Sequence, residues 1–318
     1  MKILVTGATG NVGLSVLKAL QETRLDLQII AGVRNTETDK EKLKHFNVSL
    51  ITFDFEIIQT FQPALQGIDI LFLLRPPQLA DVSKYFKPLI NEAVIANVKH
   101  IVFLSVQGVE NSKIIPHHKI EKLIVKSHLA YTFLRPAYFM QNFTTTLKND
   151  IIHKQQIFLP AGKAKFTIVD SDDIGSVAAK IMTEPVKHLN KCYELTNTEQ
   201  LTFTEMAEKL SKGLNRTIIF VSPSLLKFYL TKRREKLPAM LILVMIILHY
   251  FPRFQKVPKT SEWVKIISGN DPKTFDQFIN ENKQQLQEAL AITAATQKWR
   301  HCEYKHLCFK QTFVCMTV

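Results

Sequence analysis

Three glycines at three-residue spacing follow the first apolar run of the chain. They are Gly7, Gly10 and Gly13, and the segment after them has the apolar periodicity of a helix. A buried strand, a glycine turn and a helix in this order direct backbone N–H groups toward a diphosphate. Gly7 would allow the tight turn, and Gly10 would let the phosphates approach the backbone. Gly13 would let the helix pack closely on the sheet. The sequence therefore predicts a dinucleotide-binding loop; an ordinary strand–helix turn that binds nothing is the alternative.

The residue after the second predicted strand bears on the choice of dinucleotide. An acidic residue there would bind the ribose 2′-hydroxyl of NAD, whereas an arginine suits the 2′-phosphate of NADP. This chain has Arg34 after the apolar run 27–33, with Lys40, Lys42 and Lys44 shortly beyond. The expected cofactor is therefore NADP(H) rather than NAD(H); a surface arginine at a strand end is the alternative.

The ends of the next three predicted strands supply further cofactor-binding candidates. Asp54 follows strand three, where it could bind the adenine amino group or cap the helix that comes next. Leu74 ends strand four, just before a proline-containing loop that we expect to lie over the cofactor. Ser105 ends strand five, where its hydroxyl could bond the nicotinamide or a substrate oxygen, or simply cap the strand end.

The acid–base pair of the large short-chain dehydrogenase class is missing from this chain. That pair is Tyr-x-x-x-Lys, in which the lysine lowers the pKa of the tyrosine. None of the seven tyrosines has a lysine four residues later. A helix predicted from Pro116 carries His117 on the same face as Glu121. Facing the cleft, His117 could move protons near neutral pH; a histidine on a solvated helix face is the alternative.

Strands alternate with helices through the first half of the chain. Apolar runs predict six strands there: 3–5, 27–33, 48–53, 67–74, 100–105 and 131–134. This alternation predicts an α/β fold, a doubly wound parallel sheet of Rossmann type with helices on both faces. The later strands and helices predict a smaller C-terminal α/β lobe over the cleft.

The predicted elements suggest three regions. We expect a dinucleotide-binding domain over 1–150, a substrate lobe over 151–290 and an atypical tail over 291–318. Segments near 165–200 are expected to return to the large sheet. The apolar helix 239–248 would be the lid or wall of the cleft, since about ten residues are too few to span a bilayer.

Two helices of the second half have candidate capping residues at their starts. Asp173 precedes an apolar-periodic segment, where a carboxylate would stabilise the positive end of a helix. Thr202 and Glu205 have the three-residue spacing of a capping box.

The composition indicates a globular protein with a basic surface. The 318 residues carry a formal net charge of +13 at pH 7, which favours acidic partners. No nucleic-acid-binding motif is recognisable, so we expect no nucleic-acid partner, and no membrane span. Only one of the four cysteines precedes residue 301, which favours a reducing, cytoplasmic location. The three tail cysteines lack the paired spacing of a zinc site, and no metal is expected.

Four blocks of the sequence carry a resemblance to a known family. The blocks are TGATGNVG from Thr6, the H-x-x-x-E helix at His117, LRPAYFMQNF from Leu134 and VDxxDIG from Val169. Together they resemble the NmrA-like family of atypical short-chain dehydrogenase/reductase proteins. The resemblance runs from residue 1 to about residue 285. It implies a Rossmann domain that binds NADP(H) through one set of residues: Gly7, Thr9, Gly10, Asn11, Val12, Gly13 and Arg34. It implies a second set whose backbone flanks the nicotinamide: Pro136, Ala137, Tyr138 and Phe139.

The resemblance implies several functions, because the family includes NADPH-dependent quinone reductases, isoflavone-reductase-like enzymes and dinucleotide sensors. Isoflavone-reductase-like members use a lysine near the position of His117, so this chain departs from them. We expect an NADPH-dependent oxidoreductase acting on a quinone or similar carbonyl compound, with His117 or Tyr138 as the polar group nearest the substrate. The alternative is a non-catalytic NADP(H) redox sensor that binds a partner protein. A nucleotide-sugar epimerase is a weaker alternative, and the oligomeric state is left open.

Overall fold

Short, mostly apolar strands form the framework of the protein. The structure is a computed structural model that describes residues 1–23, 25–113 and 115–287. The predicted tail 291–318 lies outside the described residues. The strands, in chain order, are β1 (Lys2–Thr6), β2 (Gln28–Val33), β3 (Ser49–Thr52), β4 (Ile70–Leu74), β5 (His100–Leu104), β6 (Ala130–Pro136), β7 (Tyr138–Phe139), β8 (Gln156–Phe158), β9 (Lys165–Val169), β10 (Lys191–Leu195), β11 (Gln200–Thr202) and β12 (Ile219–Val221).

Helices occupy most of the segments between these strands. In chain order they are α1 (Asn11–Glu22), α2 (Thr36–Leu43), α3 (Phe61–Leu65), α4 (Val82–Ile95), α5 (Pro116–Lys126), α6 (Lys148–Lys154), α7 (Ser171–Thr183), α8 (Phe203–Leu214), α9 (Leu225–Arg234), α10 (Ala239–Tyr250), α11 (Trp263–Ser268), α12 (Phe275–Glu281) and α13 (Lys283–Gln287). Within the described ranges, no helix has the length and apolar character needed to cross a bilayer.

Seven strands make one large parallel sheet. Their order is β10-β6-β5-β4-β1-β2-β3, and every neighbouring pair runs parallel. All residues of β4 and β5 are buried, because a sheet covered on both faces hides every side chain of its central strands. The predicted doubly wound α/β fold is confirmed. Of the region 165–200, β10 lies in the large sheet, whereas β9 pairs with β7 and β11 in a small sheet.

Helices cover both faces of the large sheet. Alternate residues of β1 point to opposite sides: Ile3 joins the core under α1, α7 and α11, whereas Leu4 joins the core under α3, α4 and α5. On the first face α1 and α7 approach closely at Gly175. A Cβ there would lie 2.5 Å from the backbone of Ser15, so only glycine allows this contact.

A second hydrophobic core lies in the C-terminal lobe. It is formed by aromatic and aliphatic side chains from α6, α8, α10 and α12 and from the small sheets β11-β9-β7 and β12-β8. Phe203 and Phe143 are fully buried in it, and their rings contact Tyr138. The predicted smaller α/β lobe is therefore present, while the exact domain boundaries stay a prediction.

One predicted cap is confirmed and another is wrong. The Thr202 side chain accepts a hydrogen bond from the Glu205 backbone N–H, and the Glu205 side chain accepts one from the Thr202 backbone N–H. These two bonds form the capping box. Asp173 does not cap α7. The N-cap is Asp170, whose backbone is extended and whose carboxylate accepts from Asp172 N at 2.8 Å. Asp170, Asp172 and Asp173 all lie near the start of this helix. Only Asp170 has the extended backbone that an N-cap residue needs, so it is the cap.

Asp173 instead forms a half-buried carboxylate in the first turn of α7. Its Oδ2 accepts from Lys273 N at 2.9 Å. Burial, together with the charges of Asp170 and Asp172, raises the pKa of Asp173 to about 7. In the folded state this group holds its proton from about pH 4 to 7, where the unfolded chain has released it. Its contribution to the free energy of unfolding is therefore lost as pH rises across that range.

We expect Asp173→Asn to remove this pH dependence. The amide is neutral at every pH and its oxygen can still accept from Lys273 N. The variant should match the wild type near pH 4 and exceed its free energy of unfolding by up to about 4 kcal/mol at pH 8. Denaturant unfolding across this pH range measures the effect. Asp276→Asn, which alters an exposed carboxylate in the first turn of α12, is the control, and equal pH slopes in all three proteins would contradict the assignment.

Candidate functional site

The large sheet has its switch point between β1 and β4. The chain passes from β1 to β2 and β3 on one side and then returns to β4 on the other. Ligands of such sheets bind in the crevice at the carboxyl ends of the strands at this point. The buried Thr6 joins the two strand ends, because its hydroxyl donates to Phe72 O at 3.0 Å and accepts from Leu74 N at 2.9 Å. By this rule, the predicted glycine loop lies at the ligand-binding edge of the sheet.

The glycine loop has a conformation that its sequence requires. Gly7 has φ of +64°, a left-handed value that favours glycine. Gly10 N donates to Gly7 O at 3.0 Å and closes the turn. A Cβ on Gly13 would lie 2.1 Å from Gly7 O and 2.8 Å from Ala8 Cα. The third glycine thus allows α1 to pack against the loop itself.

The first turn of α1 presents an uncapped helix end. Gly10 is the N-cap and makes no side-chain hydrogen bond, and the first turn contains no acidic residue. Thr9 and Asn11 are half-buried here, and Val12 is buried. A helix end of this kind has backbone N–H groups and a positive partial charge available for an anion. The arrangement is chemically suited to a diphosphate.

Arg34 lies in solvent directly after β2. No hydrogen bond or ion pair joins its guanidinium to any other part of the chain that the structure covers. The next residue, Asn35, caps α2 by accepting from Thr38 N at 3.0 Å. Lys42, in contrast, contacts Asp39 at 3.2 Å. Arg34 is therefore a cation at a strand end of the ligand-binding edge with its five donors available.

Leu74 ends β4 and Asp54 follows β3, and β1 and β2 lie between these two strands in the sheet. A Cβ on Gly7 would come within 3.1 Å of Leu74 Cδ2, so the leucine packs directly on the glycine loop. Asp54 is half-buried, and its Oδ1 accepts from Glu56 N at 2.9 Å. This bond stabilises a turn and does not cap a helix, since Ile57 is the N-cap of the short 3₁₀ helix that follows.

Ser105 supplies a buried hydroxyl at the carboxyl end of β5. The side chain is fully buried, and its Oγ has no hydrogen-bond partner among the described residues. Its backbone N donates to Leu134 O at 2.7 Å. A buried hydroxyl without a partner is unusual in a folded protein. Its position at the ligand-binding edge fits a group of a bound ligand.

The segment after β6 crosses from the large sheet into the lobe. Pro136 O accepts from Gln107 N at 3.0 Å, and Ala137 N donates to Leu195 O at 2.9 Å. Tyr138 and Phe139 then form β7, paired with β9. The backbone expected to flank a nicotinamide is therefore held on both sides by ordered strands.

His117 is buried and faces a residue that the sequence analysis did not select. Its Nε2 accepts from Arg75 Nε at 3.3 Å. Burial, and then the charge of Arg75, places the pKa of His117 well below its usual value. Glu121, on the same helix face, forms a two-point ion pair with Arg135 at 2.8 and 3.1 Å. His117 is thus neutral at pH 7 and has a different partner from Glu121, and its role in proton transfer stays a prediction.

Arg75 organises the loop after β4 at the switch point. It is buried, and its Nη1 donates to the carbonyl oxygens of Pro76, Pro77 and Leu79 at 2.9–3.2 Å. Burial lowers the pKa of Arg75 to about 10. The signal that could have identified it is a charged residue placed directly after five apolar strand residues.

Tyr138 points into the lobe and contacts α10. Its hydroxyl lies 3.2 Å from His249 Nε2, and His249 Nδ1 lies 2.6 Å from Met245 O. A carbonyl only accepts, so Nδ1 carries the proton and Nε2 accepts from the tyrosine. Burial lowers the pKa of His249 to about 4, which keeps the ring neutral. The Tyr138 hydroxyl is therefore engaged within the lobe.

These features together fit a nicotinamide dinucleotide. The uncapped turn of α1 suits the diphosphate, and Arg34 suits a 2′-phosphate. The Ser105 hydroxyl, without a partner among the described residues, ends β5, the strand beside β4. A close-packed glycine loop with a left-handed turn lets a diphosphate approach the backbone closely.

Comparison with known proteins gives the family. The family model described as the NmrA-like family matches residues 1–251. The chain belongs to the NmrA-like family. One similar protein, prestalk A differentiation protein A of Dictyostelium discoideum, is 30% identical over 88% of this chain and 92% of its own length. Another, an NAD(P)H azoreductase of Xenophilus azovorans, is 28% identical over 87% of this chain and 96% of its own.

Solved structures share the fold of this NmrA-like protein. The Escherichia coli NADPH-dependent quinone oxidoreductase, in complex with NADPH, matches with a TM-score of 0.79 at 23% identity and covers 88% of this chain and 99% of its own. The Citrobacter triphenylmethane reductase, in complex with NADP(H), matches with a TM-score of 0.76 at 25% identity. The match covers 90% of this chain and 100% of the reductase. The negative transcriptional regulator NmrA, in complex with NADP, matches with a TM-score of 0.70 at 18% identity. The match covers 92% of this chain and 98% of the regulator.

Proposed function

We propose that this protein is an NADPH-dependent oxidoreductase that reduces a quinone or a similar conjugated carbonyl compound. The observation that carries the proposal is the uncapped first turn of α1, which meets the glycine loop at the switch point of the sheet. That geometry is suited to a dinucleotide diphosphate. Family membership and the NADP(H) complexes of structural neighbours support the same cofactor.

Distinct residues would hold distinct parts of the cofactor. Thr9, Asn11 and Val12, with the three glycines, would bind the diphosphate through the loop and first helical turn. Arg34 would bind the 2′-phosphate, and Asp54 would lie near the adenine. Leu74, Ser105 and the backbone from Pro136 to Phe139 would enclose the nicotinamide. When bound, NADPH supplies a hydride, and the protein would contribute chiefly by holding the acceptor close.

The polar groups of the site favour an acceptor that needs little acid catalysis from the protein. His117 accepts a hydrogen bond from Arg75, and the Tyr138 hydroxyl donates to His249. Both groups are buried and already engaged. A quinone suits this site because its reduced oxygens can take protons from water. Relatives named as a quinone oxidoreductase and an azoreductase support reduction of conjugated acceptors.

NADPH consumption with a panel of acceptors tests the proposal. We expect turnover with benzoquinones or naphthoquinones, followed as loss of NADPH absorbance, and none with NADP and simple secondary alcohols. Calorimetric titration with NADPH is run on the same preparation. Tight binding without turnover on any acceptor would instead support the sensor, which the buried state of both polar groups and the fold of the regulator NmrA also suit. A lack of binding would contradict both functions.

The roles expected for His117 and Tyr138 are tested by removing each polar group. A general acid contributes about 100-fold or more to the rate. Because both groups are engaged internally, we expect kcat/KM for a quinone to fall by less than about tenfold in His117→Ala and Tyr138→Phe. Tyr193→Phe is the matched control, since the Tyr193 hydroxyl also bonds a histidine, His188, at 2.9 Å. If Tyr138→Phe lowered kcat by more than about tenfold without changing KM, and Tyr193→Phe did not, Tyr138 would have a catalytic role.

A further inference from the structure

A continuous apolar stripe on α10 and the 3₁₀ turn after it faces solvent. Met240, Leu243, Ile247, Phe251 and Phe254 are between 46% and 71% exposed. Their spacings of three and four residues place them on one side of the helical segment. The opposite side of α10 is buried in the lobe core. The helix is therefore apolar on both sides, and the part of the chain that the structure describes covers only one of them.

The preceding helix extends this exposed surface. Leu226, Tyr229 and Leu230 on α9 are exposed and have the i, i+3, i+4 spacing of one helix face. The two helices pack against each other. We call the exposed residues of both helices and of the following turn the α9–α10 face. Apolar surface of this extent on a globular protein marks an interaction site.

The α9–α10 face belongs to a basic stretch of the chain. Between residues 222 and 261 the chain has eight lysines and arginines and a single acidic residue, Glu235. Glu235 is already paired with Lys232 and Lys154. The exposed cations of this stretch are Lys227, Arg233, Arg234, Lys236, Arg253, Lys256 and Lys259.

Arg253 joins the charged and apolar parts of this surface. Its guanidinium carbon lies 5.0 Å from the ring centroid of Tyr250 and 6.0 Å from that of Phe254. Arginine and aromatic side chains in this arrangement combine an apolar body with a polar end, which suits the boundary between hydrocarbon and water.

The length of α10 limits how it could contact a bilayer. Its 12 residues correspond to about 18 Å at 1.5 Å per residue, whereas a hydrocarbon core is about 30 Å thick. The buried bond between His249 and Tyr138 also holds the inner side of α10 in the lobe. Only the outer side is available, as in helices that lie in the plane of a membrane surface.

We propose that the α9–α10 face docks onto an anionic lipid surface. The apolar stripe would enter the boundary between headgroups and acyl chains, and the exposed cations of the same stretch would contact the anionic headgroups. A symmetric contact with a second copy would place the same cations opposite each other, so charge complementarity selects the lipid. The inference does not depend on which acceptor the protein reduces.

Co-sedimentation of the full chain with lipid vesicles tests this docking. We expect binding to vesicles of equal parts phosphatidylcholine and phosphatidylglycerol, weaker binding to phosphatidylcholine alone, and loss of binding at high salt. The triple variant Met240→Ser, Leu243→Ser, Ile247→Ser should bind at least about tenfold more weakly. Arg233→Glu with Arg234→Glu should do the same, since each cation near such a surface contributes about fivefold.

A matched control separates docking from general loss of apolar surface. Ile58→Ser, Ile95→Ser and Val186→Ser alter three exposed aliphatic residues elsewhere and should leave vesicle binding unchanged. Thermal unfolding checks that each variant is folded. Equal binding of wild type and the α10 variant, or no binding to the anionic vesicles, overturns the proposal. A change of oligomeric state in the α10 variant, measured by light scattering without lipid, also overturns it and assigns the face to a subunit contact.

Discussion

Gly13→Ala should abolish dinucleotide binding while leaving the protein folded. The new Cβ would lie 2.1 Å from Gly7 O, well inside van der Waals contact, and both clashing partners are backbone. Relief requires α1 to move away from the loop or the loop to move toward the crevice. Either movement displaces the N–H groups that the diphosphate needs. We expect the Kd for NADPH to rise about 100-fold or more, equivalent to about 2.8 kcal/mol.

Gly213→Ala provides a matched control for this effect. It is the same chemical change in another helix, α8, and its Cβ would lie 2.5 Å from Ile279 Cγ2. That clash is with a side chain in the lobe core, far in the chain from the loop. It should lower the melting temperature but leave the Kd for NADPH within about threefold. If Gly13→Ala binds NADPH as tightly as Gly213→Ala does, the glycine loop is not the diphosphate site.

The sheet and the glycine loop could be predicted because their signals are local. β1 contains a run of three apolar residues before the loop, and β4 consists of five apolar residues before Arg75. Each run is short and ends at a turn signal, which is typical of strands buried on both faces. Parallel pairing and right-handed connections then fix where their carboxyl ends meet. The switch point, and with it the neighbourhood of Leu74 and Ser105, follows from these rules.

The environment of the two catalytic candidates could not be predicted, because their partners are distant in the chain. His117 meets Arg75, 42 residues earlier, and Tyr138 meets His249, 111 residues later. Each pairing depends on how whole elements pack, and no periodic pattern encodes it. Both contacts replace an expected opening toward substrate with a buried internal hydrogen bond. Burial then lowers the pKa of each histidine, which no reading of residue type alone would show.

Helix α10 shows a related limit. Its unbroken apolar composition predicts burial, and on that basis the sequence favours a lid or wall of the cleft. The structure buries one side, with Ile242 and Met245 in the lobe core, and leaves Met240 and Leu243 in solvent. A helix that is apolar all round carries no periodicity to tell its two sides apart. Which side is covered depends on α9 and the rest of the lobe.

Arg34→Ala should remove most of the preference for NADPH over NADH. The guanidinium lies in solvent after β2 without a partner in the described chain, so truncation breaks no internal contact. Two charge-assisted hydrogen bonds to a 2′-phosphate would each contribute about 1.5–3 kcal/mol. We expect the Kd for NADPH to rise about 150-fold or more, and that for NADH to change by less than about threefold. Calorimetric titration with both dinucleotides measures the ratio.

Lys42→Ala separates this specific contact from the general basic charge of the region. Its ammonium lies 3.2 Å from Asp39, so it is a neighbouring cation that is already paired. Its removal lowers the local charge by one unit, as Arg34→Ala does, and should leave the ratio of the two Kd values near that of the wild type. If both variants lower NADPH affinity equally, the effect is long-range electrostatics and the 2′-phosphate is bound elsewhere. If only Arg34→Ala does so, the residue after β2 selects the dinucleotide, as its position at the ligand-binding edge requires.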